Sequence, residues 1–278
     1  DALVSSDTPA AHRVLHEANT SGSTGKHVTV KIDAISAAIG EALALRDHRW
    51  HGRDLGRKAA GIRAIKSGAR APHGKHEPRW APSTGSGPLA LLDVHTPVRD
   101  QLAWLEREAP SYLVTYPNNA AALIAEIEDQ GTELPDLLEL GTLGEVLPAG
   151  LRESCRRVLG VPLVDAYSTV ELGYLALQCP EHEHYHVQSE HVFVEILRDD
   201  GAPCAIGESG RVVATALHAF AMPLIRYELG DYATVGAPCP CGRGLPVLDR
   251  ILGRARNMLR LPDGDVLWPR YGTPVLGK

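Results

Sequence analysis

Strand-like and helix-like segments alternate between residues 89 and 166, and this alternation constrains the fold more than any other feature of the chain. Residues 89–94, 112–115 and 161–166 are short and apolar, as buried strands are. Longer stretches with apolar residues at helical spacing separate them, and the clearest, residues 98–108, ends just before Pro110. Strands that alternate with helices pack as a mostly parallel sheet, so an α/β protein is predicted.

Two details extend this prediction. Asn118 or Asn119 is suited to cap a helix whose apolar face carries Leu123 and Ile127. Residues 137–140 are then the next strand candidate, because they are short, apolar and follow that helix.

The pattern changes after Cys179, where strand-like segments follow one another with glycine, proline and aspartate turns between them. The strand candidates in this part are residues 191–197, 210–216, 224–227 and 232–235. We therefore expect a large N-terminal α/β core with mixed or parallel sheets over residues 1–178. A smaller β-rich subdomain is expected over residues 179–250, followed by a separate segment over 251–278.

The composition argues against several classes of function. The chain of 278 residues has a formal net charge of −6, which does not favour nucleic-acid binding. It has no run of about 18–20 apolar residues, so no membrane association through a spanning helix is expected. Residues 46–79 hold ten Lys and Arg against three Asp and Glu. This basic stretch is either a solvated helical face or a docking patch for a phosphorylated cofactor or an acidic protein.

A glycine-rich loop near the start of the sequence is the first candidate binding site. It consists of Thr20, Ser21, Gly22, Ser23, Thr24 and Gly25. Glycines let the backbone approach an anion closely, and consecutive N–H groups form an anion-binding nest. The loop lacks the Gly-Lys-Ser/Thr ending of a Walker A motif, and by composition alone it could equally be a linker.

Four further motifs follow this loop, and the set carries a family resemblance. They are Gly144-Glu145, Tyr167-Ser168-Thr169-Val170-Glu171, the Arg-Tyr-Glu-Leu-Gly-Asp stretch that ends at Asp231, and Gly253-Arg254 with Asn257-Met258-Leu259. With the loop as a phosphate-binding motif, the set resembles the acyl-adenylate-forming superfamily and, more closely, its phenylacetate–CoA ligase branch. The resemblance extends from Thr20 to Pro269.

The resemblance implies an enzyme that uses ATP and Mg²⁺ to activate a carboxylic acid as its acyl adenylate and then transfers the acyl group to coenzyme A. It implies that Tyr167 stacks on adenine, that Asp231 binds the ribose hydroxyls and that Arg254 reaches ribose or phosphate. Glu171 is implied as the catalytic residue that holds Mg²⁺. The other implied nucleotide contacts are the six loop residues with Gly144, Glu145, Asp165, Ala166, Ser168 and Thr169.

Cysteine and histidine spacing predicts a zinc site. Cys179 and His182 form a Cys-x₂-His pair, and Cys239 and Cys241 form a Cys-x-Cys pair. Four such ligands complete a tetrahedral Zn²⁺ site, which makes the expected role structural. His186 is the alternative to His182, His184 also competes, and unligated turn cysteines are the alternative to any metal. The family branch has a similar pattern. Cysteines used in this way favour a reducing, cytoplasmic setting.

The chain departs from the family pattern in three places. Val170 stands where the family has Thr or Ser before the glutamate, and Arg256 stands where an acidic residue usually follows the hinge arginine. The sequence also ends at Lys278, soon after the hinge motif. Residues 251–278 are therefore expected to be the hinge and the start of a C-terminal domain, which in the family carries the catalytic lysine for adenylation.

Two other functions stay open at this stage. One is a stand-alone adenylation enzyme that loads the phosphopantetheine thiol of a carrier protein, and the other is a zinc-stabilised nucleotide-binding pseudoenzyme. Val170 and Arg256 keep the pseudoenzyme open. The acid itself is not encoded in any motif, although His95 and Tyr174 are candidates to line its pocket. The branch often forms dimers, so the resemblance also implies a homodimer.

Overall fold

The computed structural model describes residues 3–19, 28–65, 69–81, 84–260 and 266–267. The chain forms two compact units. The first contains the described residues up to His51 and those from Tyr167 onward, and the second contains Gly52–Ala166. The predicted boundary after residue 178 differs from the boundaries between the two units, which fall at residues 51/52 and 166/167.

Helices and strands alternate in the second unit and strands dominate the first. The described α-helices are α1 (Ala34–Trp50), α2 (Val98–Glu108), α3 (Pro117–Gln130) and α4 (Leu151–Leu159). The described strands are β1 (Val14–Asn19), β2 (Thr29–Asp33), β3 (Ala59–Arg63), β4 (Lys75–Glu77), β5 (Leu89–Asp93), β6 (Tyr112–Thr115), β7 (Glu139–Leu143), β8 (Leu163–Thr169), β9 (Gly173–Gln178), β10 (Tyr185–Val187), β11 (Val192–Leu197), β12 (Ser209–Ala216), β13 (Tyr227–Val235), β14 (Val247–Arg254), β15 (Leu259–Arg260) and β16 (Val266–Leu267).

The second unit contains a parallel sheet in the order β8-β7-β6-β3-β5, with β4 added antiparallel at the edge. Apolar side chains of α2, α3 and α4 pack with those of the strands in one core, which includes Ile62, Leu92 and Trp104. This arrangement confirms the α/β prediction for the unit. Helices on a parallel sheet bury strands that are apolar on both faces, as the sequence of these strands requires.

The first unit contains the β-rich part that was predicted after Cys179. Its strands run antiparallel in the order β11-β12-β13-β14-β10-β9, and β1 and β2 form a separate two-stranded sheet. A second apolar core, which includes Leu175, Val212 and Leu224, supports these strands. The predicted strand over 224–227 is wrong, because β13 begins only at Tyr227 and Leu224 is a buried residue outside the strands.

The helix starts differ from the sequence prediction in one place. Neither Asn118 nor Asn119 caps α3, because Tyr116 is the N-cap residue and Pro117 occupies the first turn. Proline suits that position since its missing N–H would have no partner there. The side chain of Asn119 instead donates to Gln101 Oε1 and Thr115 Oγ1. Among the described residues, no helix is both long and apolar enough to cross a membrane.

Candidate functional site

The predicted phosphate loop lies outside the described residues. All six of its members fall in the gap between residues 19 and 28: Thr20, Ser21, Gly22, Ser23, Thr24 and Gly25. The loop therefore stays a prediction, and the structural account of the site begins with the other motifs.

A buried network joins three of the predicted nucleotide-binding residues in the first unit. The hydroxyl of Tyr167 donates to Asp231 Oδ2 at 2.8 Å, and Arg254 Nε lies 3.0 Å from Asp231 Oδ1. Asp231 and Arg254 are register partners on the antiparallel strands β13 and β14. Arg254 also donates to the carbonyl oxygen of Leu229 at 2.7 Å. Strand pairing thus brings together Asp231 and Arg254, which are 23 positions apart, and the hydroxyl of Tyr167, 64 positions before Asp231, reaches the same carboxylate.

The pKa values of Asp231 and Tyr167 are set by burial and by the contacts among the three residues of this network. Asp231 is only 6% exposed, and burial raises the pKa of its carboxyl group, while Arg254 and the Tyr167 hydroxyl act in the opposite direction. Burial also raises the pKa of Tyr167 well above its usual value, as does the nearby charge of Asp231. The tyrosine is therefore neutral, and its hydroxyl donates the hydrogen bond to Asp231. Tyr167 is only 8% exposed, and its hydroxyl orients Asp231. The expected stacking of its ring on adenine stays a prediction.

Glu171, the predicted Mg²⁺ ligand, lies in the tight turn between β8 and β9 and is half-buried. The hydroxyl of Thr169 accepts a hydrogen bond from the backbone N–H of Leu172 at 3.1 Å, which stabilises this turn. Val170 is 45% exposed at the tip. The hydroxyl of Thr169 is thus engaged as an acceptor within the turn, while Val170 offers no hydroxyl at its own position. Ser168 is half-buried on β8, one residue after Tyr167.

The remaining predicted contacts belong to the second unit. Asp165, on β8, is buried and its Oδ1 accepts a hydrogen bond from the hydroxyl of Thr142 at 2.6 Å. The neighbouring Ala166 is half-buried. Gly144 adopts φ 80°, a conformation that favours glycine, directly after β7. Glu145 follows it, exposed, and its Oε2 accepts a hydrogen bond from the backbone N–H of Asn118 at 3.1 Å.

An open groove of about 490 Å³ lies at the carboxyl ends of four parallel strands in the second unit. Its lining consists of Ala64 after β3, Val94 and His95 after β5, Tyr116 after β6, Asn118, Asn119 and Ala122 of α3, and Glu145 after β7. Ligands of open α/β sheets bind at this edge. His95 was a predicted lining residue; Tyr174, the other candidate, lies on β9 in the first unit.

The groove contains an Asp–His pair that sequence reasoning missed. His95 Nδ1 lies 2.8 Å from Asp93 Oδ1, and Asp93 is 5% exposed at the end of β5. The hydrogen bond from His95 lowers the pKa of Asp93, with Arg70 adding a smaller effect. The signal available in the sequence was an aspartate at the last strand position with a histidine two residues later.

A second cluster in the first unit has the chemistry of a metal site. The ligand atoms of Cys179, His186, Cys239 and Cys241 all lie within 4.8 Å of one another. Cys179 Sγ is 3.9 Å from Cys239 Sγ, and Cys241 Sγ is 3.3 Å from His186 Nε2. Three thiols and one imidazole fit a closed tetrahedral Zn²⁺ site. Zn–S and Zn–N bonds of about 2.3 and 2.0 Å would place such ligand atoms roughly 3.5–4 Å apart.

The fourth member of this cluster is His186 and not His182, which corrects the preferred choice. The backbone N–H of Cys179 donates to the carbonyl of His184, and this closes the turn between β9 and β10. The chain then returns antiparallel, so that His186 on β10 is buried beside the cysteines. His182 lies exposed in the turn, where its ring stacks on that of His184 at 5.1 Å.

Arg243 and Trp50 surround the cluster and were not anticipated. Burial alone would raise the pKa of Cys241, but hydrogen bonds from the backbone and side chain of Arg243 and from the neighbouring thiols lower that pKa to about 7, whereas burial raises the pKa of Cys239 to about 11. A lowered thiol pKa favours the thiolate that binds metal. The guanidinium of Arg243 lies 5.0 Å from the Trp50 ring centroid, and the rings of Trp50 and His186 form a T-shaped contact with their centroids 5.7 Å apart. Trp50 ends α1, so this helix is anchored beside the cluster.

The basic stretch over residues 46–79 is partly neutralised. Of its nine cations that lie within the described residues, six form ion pairs with carboxylates of their own unit, namely Arg46, Arg53, Arg57, Lys58, Arg70 and Lys75. The stretch also crosses the boundary between the units at residue 51/52. It therefore offers less positive charge for docking a partner than its composition suggests.

Comparison with solved structures shows that the chain shares its fold with CoA ligases of known structure. A structure of 2-hydroxyisobutyryl-CoA ligase in complex with an acyl-AMP aligns with a TM-score of 0.75 at 18% identity, covering 94% of this chain and 56% of that chain. The anthranilate CoA ligase in complex with anthranoyl-AMP gives a TM-score of 0.71 at 16% identity, with coverages of 93% and 50%.

Sequence comparison confirms the resemblance to phenylacetate–CoA ligases. The chain is 31% identical over 167 residues to the phenylacetate-coenzyme A ligase of Thermus thermophilus, which is 57% of this chain and 37% of that protein. It is 31% identical over 157 residues to the Escherichia coli enzyme of the same name, which is 54% of this chain and 36% of that protein. No family model matches the chain. The aligned stretches thus span little more than a third of these relatives.

Proposed function

We propose that this chain provides the nucleotide- and acid-binding part of an ATP-dependent acid–thiol ligase similar to phenylacetate–CoA ligase. The network of Tyr167, Asp231 and Arg254 carries the proposal. It holds a carboxylate at a fixed position between a hydroxyl donor and a guanidinium. A carboxylate held in this way can accept hydrogen bonds from both hydroxyls of a ribose. The named relatives are CoA ligases, and the solved neighbours carry acyl-AMP.

The proposed reaction has two steps. A carboxylate oxygen of the acid first bonds to the α-phosphorus of ATP, and the bond to pyrophosphate breaks with its electron pair leaving on pyrophosphate. The sulfur of coenzyme A then bonds to the acyl carbon, AMP leaves, and the thiol proton passes to solvent. Both steps depend mainly on positioning and on neutralising phosphate charge. Mg²⁺ would supply part of that neutralisation, and Glu171 is the residue proposed to hold it.

The Cys₃His cluster is proposed as a structural zinc site. Cys179, His186, Cys239 and Cys241 would provide all four ligands, which leaves no open position for substrate. Bound zinc would tie the turn after β9 to the segment between β13 and β14 and stabilise the antiparallel half of the first unit. The metal is thus expected to contribute folding energy and no chemistry.

ATP–pyrophosphate exchange with a panel of aryl, acyl and amino acids tests the proposed function. Exchange that depends on one class of acid supports it. Supplying coenzyme A or a phosphopantetheine-loaded carrier protein then identifies the acceptor by which thiol consumes the adenylate. Nucleotide binding with neither exchange nor binding of any acid would contradict the proposal and favour a pseudoenzyme.

A further inference from the structure

We infer that His95, oriented by Asp93, selects acids that carry a hydrogen-bond donor, a hydroxyl or amino group, on the part of the molecule that lies in the groove of the second unit. The inference rests on the proposed function and adds a substrate class to it. It depends on two features of the groove: the orientation of His95, and whether the polar groups that face the ligand accept or donate hydrogen bonds.

The orientation of His95 follows from a buried partner. Asp93 is 5% exposed, and its Oδ1 lies 2.8 Å from Nδ1 of His95. The backbone N–H of His95 also donates to the same oxygen at 3.2 Å. In the neutral imidazole, a carboxylate at Nδ1 holds the proton on that nitrogen, which leaves Nε2 as the acceptor. His95 lines the groove with 69% of its side chain exposed, so this acceptor is accessible to a ligand.

Glu145 adds a second acceptor on another side of the groove. Its carboxylate accepts a hydrogen bond from the backbone N–H of Asn118, in the first turn of α3. One hydrogen bond leaves acceptor capacity on a carboxylate. Two acceptors that face one ligand favour a donor on that ligand and disfavour a second carboxylate.

Apart from Asn118, whose exposed amide can donate or accept, the rest of the lining is apolar or already hydrogen-bonded. Val94 and Ala122 are apolar, and Tyr116 uses its hydroxyl to accept the backbone N–H of Ala64 at 3.3 Å. The amide of Asn119 donates away from the groove, to Gln101 and Thr115. The groove therefore pairs an apolar wall with a fixed acceptor. This combination suits a compact, mainly apolar acid that carries one donor.

The test compares hydroxy- and methyl-substituted pairs of phenylacetates and benzoates, matched by ring position, because methyl and hydroxyl groups are similar in size. ATP–pyrophosphate exchange gives kcat/KM for each acid with the full chain and with His95→Ala. His73→Ala is the control, since His73 is exposed in the same unit and does not line the groove. We expect the unmodified chain to prefer the best hydroxy acid over its methyl partner by about tenfold, the effect of one hydrogen bond.

His95→Ala should reduce this preference to about onefold, because kcat/KM falls further for the hydroxy acid than for the methyl acid, and His73→Ala should leave the preference intact. A preference that survives in His95→Ala, or an equal loss for both acids, would overturn the inference while leaving the proposed function in place. If no acid supports exchange, the proposed function fails, and saturation-transfer NMR of the same acids decides the inference. Binding of the hydroxy acid that His95→Ala abolishes supports it, and binding that is independent of His95 refutes it.

Discussion

Replacing Asp231 by asparagine tests the network that carries the proposed function. The carboxylate is 6% exposed, accepts a hydrogen bond from the Tyr167 hydroxyl at 2.8 Å and forms an ion pair with Arg254 Nε at 3.0 Å. Asparagine keeps the size of the side chain but replaces one acceptor oxygen by a donor and removes the charge. A ribose with two hydroxyl donors would then find at most one acceptor.

The expected effect on nucleotide affinity is larger than the effect on stability. Hydrogen bonds to charged groups contribute about 1.5–3 kcal/mol each, so the loss at the ribose should be about 2–3 kcal/mol, or roughly 30- to 150-fold in Kd for ATP. Stability should change by less than about 2 kcal/mol, because the variant also relieves the cost of burying a charge and Arg254, 39% exposed, can regain water.

Isothermal titration of ATP and of 2′-deoxy-ATP measures this effect. The unmodified chain should bind ATP more tightly than the deoxy nucleotide, and Asp231→Asn should reduce both the affinity and the difference between the two. Glu228→Gln is the matched control, because Glu228 lies on the same strand in an exposed pair with Arg211. If Asp231→Asn binds ATP within threefold of the unmodified chain, Asp231 does not bind the ribose.

Three further predictions concern the metal, the magnesium ligand and acid stability. Cys179→Ala should remove one equivalent of zinc by elemental analysis and cost about 3 kcal/mol or more, roughly 10 °C in Tm, whereas Cys155→Ser should retain the metal. Glu171→Gln should bind ATP but lose most acid-dependent exchange, with partial recovery at high Mg²⁺; unchanged exchange at low Mg²⁺ would refute its role. For Glu108, burial raises the pKa but hydrogen bonds from Lys58 and His76 outweigh it and lower the pKa. The stability this provides is present above the unfolded pKa and lost as pH falls through the folded pKa. Urea unfolding should therefore show a shallower loss of stability below about pH 4.5 in Glu108→Gln than in the unmodified chain.

Much of the second unit follows from its sequence because local pattern and tertiary structure agree there. The bounds of α2 and β6 coincide with the predicted segments, since an apolar face at helical spacing and a short apolar run each find the parallel sheet they require. The capping prediction for α3 was wrong because asparagine is a good capping residue and Asn118 and Asn119 lie close to the helix start. Pro117 instead occupies the first turn, so the helix begins before both asparagines.

The candidate site, too, could be predicted from the sequence only in part. Tyr167, Asp231 and Arg254 could be named from motifs, but the pairing of Asp231 with Arg254 depends on the register of β13 and β14, which no local signal specifies. His182 was favoured by its spacing from Cys179, yet the direction in which β10 returns brings His186 to the cysteines instead. The acceptors of the groove lie at the ends of different parallel strands, and only the sheet order brings them together.

The central claim is that this chain recognises an acyl adenylate. Titration with a non-hydrolysable acyl-sulfamoyl adenosine, in which the acyl group is the acid that gives the fastest exchange, tests this claim most directly. We predict that the mimic binds at least about tenfold more tightly than AMP, since it adds contacts of the acyl group to those of the nucleotide. We also predict that Asp231→Asn weakens binding of the mimic and of AMP by the same factor. A mimic that binds no better than AMP, or binding that is indifferent to Asp231, would contradict the account.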